Sequence, residues 1–287
     1  MNTPEWIRVS RVTPCPICSK FKWCSISEDG AVAICMRLES PKPCRNGGWL
    51  HRLTDKNDRS LTRRFVIKPE ESVADLSALA VQYQKALTAD RLAKFAESLV
   101  LSVESLTALQ VGWATDHVAW SFPMTAPSTG QIVGIRLRAP DGSKFAVKGG
   151  KEGLFIPTIE SVPGAPLIVT EGATDAAAIL DLGFENVVGR PSCTGGIKHL
   201  IELIRSHNTN AVVIVADADE RGRCGAANLA SALRVYVPAV QVIEPPAGVK
   251  DLRAWKQAGA TRADVNQIIQ AAPIQRLSIR TTLRGSK

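Results

Sequence analysis

The sequence predicts an α/β protein whose main domain is a mostly parallel sheet flanked by helices, preceded by a small α+β subdomain and an amino-terminal cysteine-rich module. Three observations predict it. From residue 167 onward, short apolar runs alternate with helical patterns, as in a parallel sheet. In Ile135-Arg136-Leu137-Arg138, basic and aliphatic residues alternate, as in a half-exposed strand. Five of the seven cysteines fall within the first 44 residues, beginning with Cys15-Pro16-Ile17-Cys18.

The amino-terminal module, residues 1–53, reads as zinc-ribbon-like. A Cys-x-x-Cys turn is the knuckle of such modules, and structural zinc takes four Cys or His ligands in a tetrahedron. Cys15, Cys18, Cys24 and Cys35 are the favoured set: Trp23-Cys24 and Ile34-Cys35 flank a hairpin pattern that turns at Asp29-Gly30 and returns both cysteines to the first knuckle. Cys44 and His51 are the alternative ligands. The sequence shows no signal-peptide pattern and reads as cytoplasmic, where thiols stay reduced, so a metal is preferred over disulfides. Cys193 and Cys224 lack metal spacing and read as small buried or loop residues. Trp23 and Trp49, among basic residues such as Arg8, Arg11, Lys20, Lys22, Arg37, Lys42, Arg45, Arg52, Arg63, Arg64 and Lys68, suit a single-stranded nucleic acid held by charge and base stacking.

The polar, aperiodic residues from Thr54 to Ser60 open a tether over 54–75. Helical patterns over 77–87, 89–98 and 103–109 then lead into strands joined at the turn Asp141-Gly142, a basic subdomain spanning 76–162. Pro163-Gly164-Ala165-Pro166 breaks the chain before a strand at 167–170. A helix at 176–182, a strand at 186–188, a helix to about residue 206, a strand at 211–215, a helix through 234 and a strand at 239–243 complete an α/β domain over 163–271. Residues 272–287 form a basic tail, expected to be flexible. No apolar run reaches membrane-spanning length, and no membrane partner is expected. A formal charge of +8 favours a polyanionic partner.

The parallel sheet delivers carboxylates at strand ends: Glu171 after the first strand, Asp217 and Asp219 after 211–215. Ligands of open α/β sheets collect there, and hard divalent cations take one or two carboxylates together with substrate phosphates. Acids after strands are also common helix caps, and Asp175, near the start of a helical pattern, reads as one. Asp217 and Asp219, one residue apart, share a direction in extended chain, and a cation between them relieves their repulsion.

Glu171-Gly172, then Asp217-Ala218-Asp219, then Lys250-Asp251-Leu252 before Ala254-Trp255 resemble the Toprim domain of bacterial-type primases, a fold shared with topoisomerases and certain nucleases. Residues 120–124, 130–138, 141–145 and 153–155 resemble the basic subdomain that precedes Toprim in primases, and the cysteine-rich module resembles their zinc module with fewer Cys-His combinations. The resemblance implies a DNA primase making short RNA primers on single-stranded DNA from NTPs by Mg2+- or Mn2+-dependent nucleotidyl transfer, in phage, plasmid or mobile-element replication. It implies that Glu171, Asp217 and Asp219 are catalytic and hold the metal, with general base an alternative role for Glu171. It implies further that Arg136, Arg138, Lys144, Lys148, Lys250 and Asp251 meet nucleotide and template. No Walker A loop is present, so a replicative helicase partner would be a separate chain. The alternatives are a Toprim nuclease and a noncatalytic single-stranded nucleic-acid-binding protein. A topoisomerase is disfavoured because Tyr83 and Tyr236 lie in no recognisable cleavage context.

Overall fold

A computed structural model describes residues 6–44, 47–53 and 75–277, and the chain divides into two compact units, Met1–Pro69 and Glu70–Lys287. Of the expected tether only Asp75 is described, and of the expected tail only 272–277. Arg45, Arg63, Arg64 and Lys68 also lie outside the described residues.

The first unit is a four-stranded antiparallel sheet in the order β1 (Trp6–Arg8), β2 (Ser25–Ser27), β3 (Val32–Cys35), β4 (Trp49–Arg52). The β2–β3 turn is set by Asp29, whose Oδ1 accepts the Ser27 hydroxyl at 2.5 Å and the Ala31 N–H at 3.0 Å, and by Gly30 with φ of +67°. Ser25 pairs with Ile34, so Cys24 and Cys35 sit side by side at the open end of this hairpin. The buried core here is Val9 with Cys15, Cys24 and Cys35. So small a core does not hold a domain by apolar burial alone, which calls for a crosslink or a metal.

The second unit opens with α1 (Leu76–Lys85), α2 (Ala89–Leu99) and α3 (Val103–Ala108), each starting on a capping side chain, respectively Asp75, Thr88 and Ser102. An antiparallel sheet follows, β5 (Gly112–Ala114), β6 (Ala119–Thr125), β7 (Ile132–Arg138) and β8 (Lys144–Ala146), in sequence order. Strands and helices then alternate: β9 (Leu167–Thr170), α4 (Ala173–Asp181), β10 (Val187–Gly189), α5 (Ile197–Ser206), β11 (Ala211–Val215), α6 (Glu220–Leu233), β12 (Ala239–Ile243), α7 (Leu252–Gln257) and α8 (Arg262–Ala271). These four strands are all parallel, in the order β10-β9-β11-β12. Because side chains alternate along a strand, Ile168, Val213 and Val215 face one core, while Val169, Val212 and Ile214 face another.

The first of those cores also contains Phe95 and Leu99 of α2, Phe122 of β6 and Trp255 of α7, so the basic strands and the parallel sheet are built on shared packing. Residues 154 and 155 stitch the two sheets together. Leu154 exchanges hydrogen bonds of 2.8 and 2.9 Å with Thr125, and Phe155 exchanges two of 2.9 Å with Gly189. The result brings the β7 side chains to the carboxyl ends of β9 and β10, where a cavity is lined by both.

Candidate active site

Five carboxylates gather around the carboxyl edge of the parallel sheet. Glu171 follows β9, Asp217 and Asp219 follow β11, Asp175 lies in the first turn of α4, and Asp251 precedes α7. Asp217 is at the centre of their field. Its carboxyl is pushed up to about 7 by burial and then by the charges of Asp175, Glu171, Asp251 and Asp219. Burial, with Asp251 next, pushes Asp175 up to about 6. Glu171 is also raised, chiefly by burial, against the opposing pull of Arg190. Acids that so hinder one another's ionisation form a sink for cations.

Backbone contacts hold this cluster. The Ala218 N–H donates to the Lys250 carbonyl at 2.7 Å, tying the Asp217-Asp219 turn to the Lys250-Asp251 segment. A Cβ added at Gly222 would lie 2.5 Å from the Asp217 carbonyl oxygen, so only glycine lets the first turn of α6 approach so closely.

The capping role expected for Asp175 belongs to other residues. Helix α4 starts three residues earlier than the periodicity suggests, its N-cap is Gly172, and no side chain caps it. Asp175 instead points across to α7 and accepts the Arg253 N–H at 3.1 Å. Asp219 caps α6 through the Gly222 N–H at 2.7 Å, and Asp251 caps α7 through the Ala254 N–H at 2.7 Å. A cap needs extended backbone just outside the helix. Gly172, Asp219 and Asp251 have it, whereas Asp175 is already helical.

Among the described residues, the carboxylates do not bring three ligand atoms within 4.8 Å of one another. Their donors are hard oxygens, the type that Mg2+ or Mn2+ takes together with substrate phosphates and water.

Arg136, Arg138 and Lys144 line one cavity of about 120 Å³ together with Glu171, Thr174 and Phe155. Arg136 reaches the Pro191 carbonyl at 3.4 Å. The affinity of Arg138 for its proton is lowered by burial and by the like charge of Arg253, with Asp175 opposing. Lys144 on β8 and Lys148 in the turn beyond it are exposed, as is Lys250. Sequence reasoning missed Arg190, which follows β10 as Glu171 follows β9. Its side chain is buried, Nε donates to the Gly195 carbonyl at 3.0 Å, and Nη2 has no hydrogen-bond partner. A charged residue directly after a buried strand was the available signal.

In the first unit, the Sγ atoms of Cys15, Cys18, Cys24 and Cys35 all lie within 4.8 Å of one another. The Cys18–Cys24 separation is 3.7 Å; a tetrahedron with metal–sulfur bonds of about 2.3 Å has an edge of about 3.8 Å. Backbone N–H groups of Met36 and Leu38 point at Cys24 and Cys35, at 3.4 and 3.3 Å. Arg37 Nη1 reaches Cys24 at 3.7 Å and Cys18 at 3.9 Å while donating to the Lys22 carbonyl at 2.8 Å. Burial pushes the Cys24 thiol up to about 12. Cys18 falls to about 6: burial opposes the shift, and hydrogen bonds from Lys20 and the neighbouring cysteines drive it. Cys44 and His51 stand outside the group; the Cys44 N–H donates to the Gly48 carbonyl, and His51 Nε2 lies 3.0 Å from the Leu38 carbonyl. The four soft ligands, with N–H donors to offset their charge, fit structural zinc.

Residues 168–254 match the family model described as Toprim-like, and the chain carries a Toprim-like domain. The fold of the larger unit is that of bacterial primase catalytic cores. The Aquifex aeolicus primase, comprising zinc-binding and RNA polymerase domains, aligns with a TM-score of 0.57 at 15% identity, over 71% of this chain and 61% of that chain. The E. coli primase catalytic core aligns with a TM-score of 0.55 at 15% identity, over 70% and 80%. A DnaG primase catalytic domain bound to single-stranded DNA gives 0.55 at 16% identity, over 70% and 78%. No curated protein sequence matches the chain. Among the described residues, no helix is long and apolar enough to cross a membrane.

Proposed function

We propose that the protein is a DNA primase that synthesises short RNA primers on single-stranded DNA from NTPs by metal-dependent nucleotidyl transfer. The observation that carries this reading is the basic wall of Arg136, Arg138 and Lys144 in the same cavity as Glu171, beside four further carboxylates. Phosphoryl transfer leaves protein groups mainly positioning and charge neutralisation, which a cation wall and an acid cluster supply.

Glu171, Asp217 and Asp219, joined by Asp175 and Asp251, would hold Mg2+ or Mn2+. The metal supplies activation of a 3′-hydroxyl and neutralisation of the leaving pyrophosphate. Arg136, Arg138, Lys144 and Lys148 take triphosphate and template phosphates, and Lys250 closes the pocket. The cysteine centre, loaded with zinc, makes the first unit a template-binding module in which Trp23 is exposed for stacking. The single-stranded DNA on the structural neighbour supports the choice of template. The all-cysteine ligand set of the first unit, with fewer Cys-His combinations than primase zinc modules, favours a phage, plasmid or mobile-element setting, with a helicase on a separate chain.

The same acids could activate water, so a Toprim nuclease is the second reading. Incubation with single-stranded DNA, labelled NTPs and Mg2+ or Mn2+ separates the two. Template-dependent products lost in Asp217→Asn support the primase, shortened DNA supports the nuclease, and DNA binding without either supports a noncatalytic scaffold.

A further inference from the structure

Arg190 stands beside the acid cluster with one nitrogen unused, and the reaction proposed above gives it no role. Strands β9 and β10 are parallel with Gly189 opposite Thr170, and the Arg190 N–H donates to the Thr170 carbonyl at 2.9 Å. The next residues along the two strands are Arg190 and Glu171, so the ladder delivers a cation and a carboxylate side by side. Gly189 permits the close approach: a Cβ there would lie 2.8 Å from the Gly172 carbonyl oxygen. Arg190 is 3% exposed, its Nε is anchored on the Gly195 carbonyl at 3.0 Å, and its Nη2 has no hydrogen-bond partner. After burial, which acts first on both groups, the strongest charge felt by Glu171 is that of Arg190, and the strongest felt by Arg190 is that of Glu171. The loop that Arg190 opens also meets the basic wall, where the Pro191 carbonyl accepts from Arg136 at 3.4 Å.

We propose that Arg190 is a positioning residue that acts through Glu171: its fixed guanidinium orients the carboxylate at the strand end and weakens the hold of the bare acid cluster on divalent cations. An arginine stays charged at every pH a folded protein meets, so it cannot give up its charge when a metal arrives. Its burial and its bond to Gly195 keep it from swinging away. A metal that engages Glu171 therefore does so against a resident cation, in a half-buried place where charges act more strongly than in water. The consequence is a metal completed by substrate phosphates instead of by every acid at the sheet edge. The inference rests on the reading of Glu171 as a metal ligand and adds the residue that sets how strongly that ligand binds.

The test is titration of the full chain with Mn2+ at pH 8, without nucleotide or DNA, read by the electron paramagnetic resonance of free Mn2+. Arg190→Gln removes the charge and keeps a donor for the Gly195 carbonyl; it should tighten Mn2+ binding on the order of tenfold. Arg190→Lys keeps the charge and should stay within about twofold of the unmodified protein. In a Glu171→Gln background the gain from Arg190→Gln should shrink to about threefold or less, because the cycle isolates the coupling between the two residues. An arginine that only braces the loop gives the same change in both backgrounds. Thermal melts accompany each titration, and Arg190→Met, which fills the space without a charge, repeats the measurement if the Gln variant does not fold. Unchanged or weaker Mn2+ binding in the charge-free variants, an equal gain in Arg190→Lys, or an undiminished gain in the Glu171→Gln background overturns the role of Arg190 alone. A Glu171→Gln protein that binds Mn2+ as tightly as the unmodified one overturns both this inference and the reading of Glu171 as a ligand.

Discussion

Asp175 and Arg253, 78 residues apart, are joined by a hydrogen bond of 3.1 Å from the Arg253 backbone N–H to the Asp175 carboxylate. The bond links the first turn of α4 to the first turn of α7 and places Asp175 among the acids around Asp217. A carboxylate in that position is repelled by its neighbours in the absence of metal and attracts a cation in its presence. Asp175→Asn keeps an acceptor for Arg253 while removing the charge. The metal-free variant should therefore melt at or above the temperature of the unmodified protein, while Mn2+ binding weakens because one negative charge of the cluster is gone. Calorimetry with and without Mn2+ checks both halves. A lower melting temperature with Mn2+ affinity intact would return Asp175 to a purely structural role.

The raised carboxyl of Asp217 sets a pH dependence with a definite sign. Its folded-state value is about 7, above the ordinary carboxylate range, so between about pH 4 and pH 7 the folded state binds more protons than the unfolded state. Stability of the metal-free protein must then fall as pH rises through that window. Asp175, pushed up to about 6, acts in the same direction. Asp217→Asn should flatten the decline, and saturating Mn2+ should oppose it, because metal binding displaces the proton. Urea melts at several pH values read this directly; a decline of equal steepness in Asp217→Asn assigns it to other groups.

The parallel sheet was legible because β9, β11 and β12 are short apolar runs separated by helical patterns, and they occupy the expected residues. The four cysteines were legible through the hairpin between Cys24 and Cys35, whose register brings both to the first knuckle. Asp175 was misread because capping depends on backbone angles at Gly172, and Ala173-Thr174 gave no sign that the helix begins there. Arg190 left one sequence signal, its place directly after a buried strand, and its burial left none. Its burial comes from the loop that returns to Gly195, a tertiary contact without a periodic signal. The stacking of Phe95 on Trp120 likewise joins two elements that no local pattern pairs.

Gly222 connects packing to the site. A methyl group there would press on the Asp217 carbonyl at 2.5 Å and on its Cβ at 2.8 Å, so α6 or the Asp217 turn must shift. Gly222→Ala should cost about 1–3 kcal/mol, as overpacking usually does, although alanine is the better helix former. The proposed nucleotidyl transfer should fall further than stability alone explains, because the displaced residue bears the central carboxylate. Denaturant midpoints and initial rates on the same preparation decide it. A stabilised and fully active variant would mean that the turn relaxes freely.

The cysteine centre makes its own prediction through Arg37. Purified protein should hold about one zinc per chain, lost in Cys24→Ser and retained in Cys44→Ser, since Cys44 stands outside the group. Four thiolates around Zn2+ carry a net charge of −2, and the N–H groups of Met36, Leu38 and Arg37 aimed at the sulfurs offset it. Of these, only Arg37 acts through a side chain. Arg37→Ala should weaken zinc retention roughly 10- to 100-fold, the usual cost of losing an outer hydrogen bond to a ligand, and Arg37→Lys should recover part of it by charge alone. The readout is the rate of zinc capture by a chromogenic chelator, which does not depend on primer synthesis. Zinc that leaves at the same rate from all three proteins would reduce Arg37 to a brace on the Lys22 carbonyl, and zinc that survives Cys24→Ser but leaves with Cys44→Ser would overturn the ligand set itself.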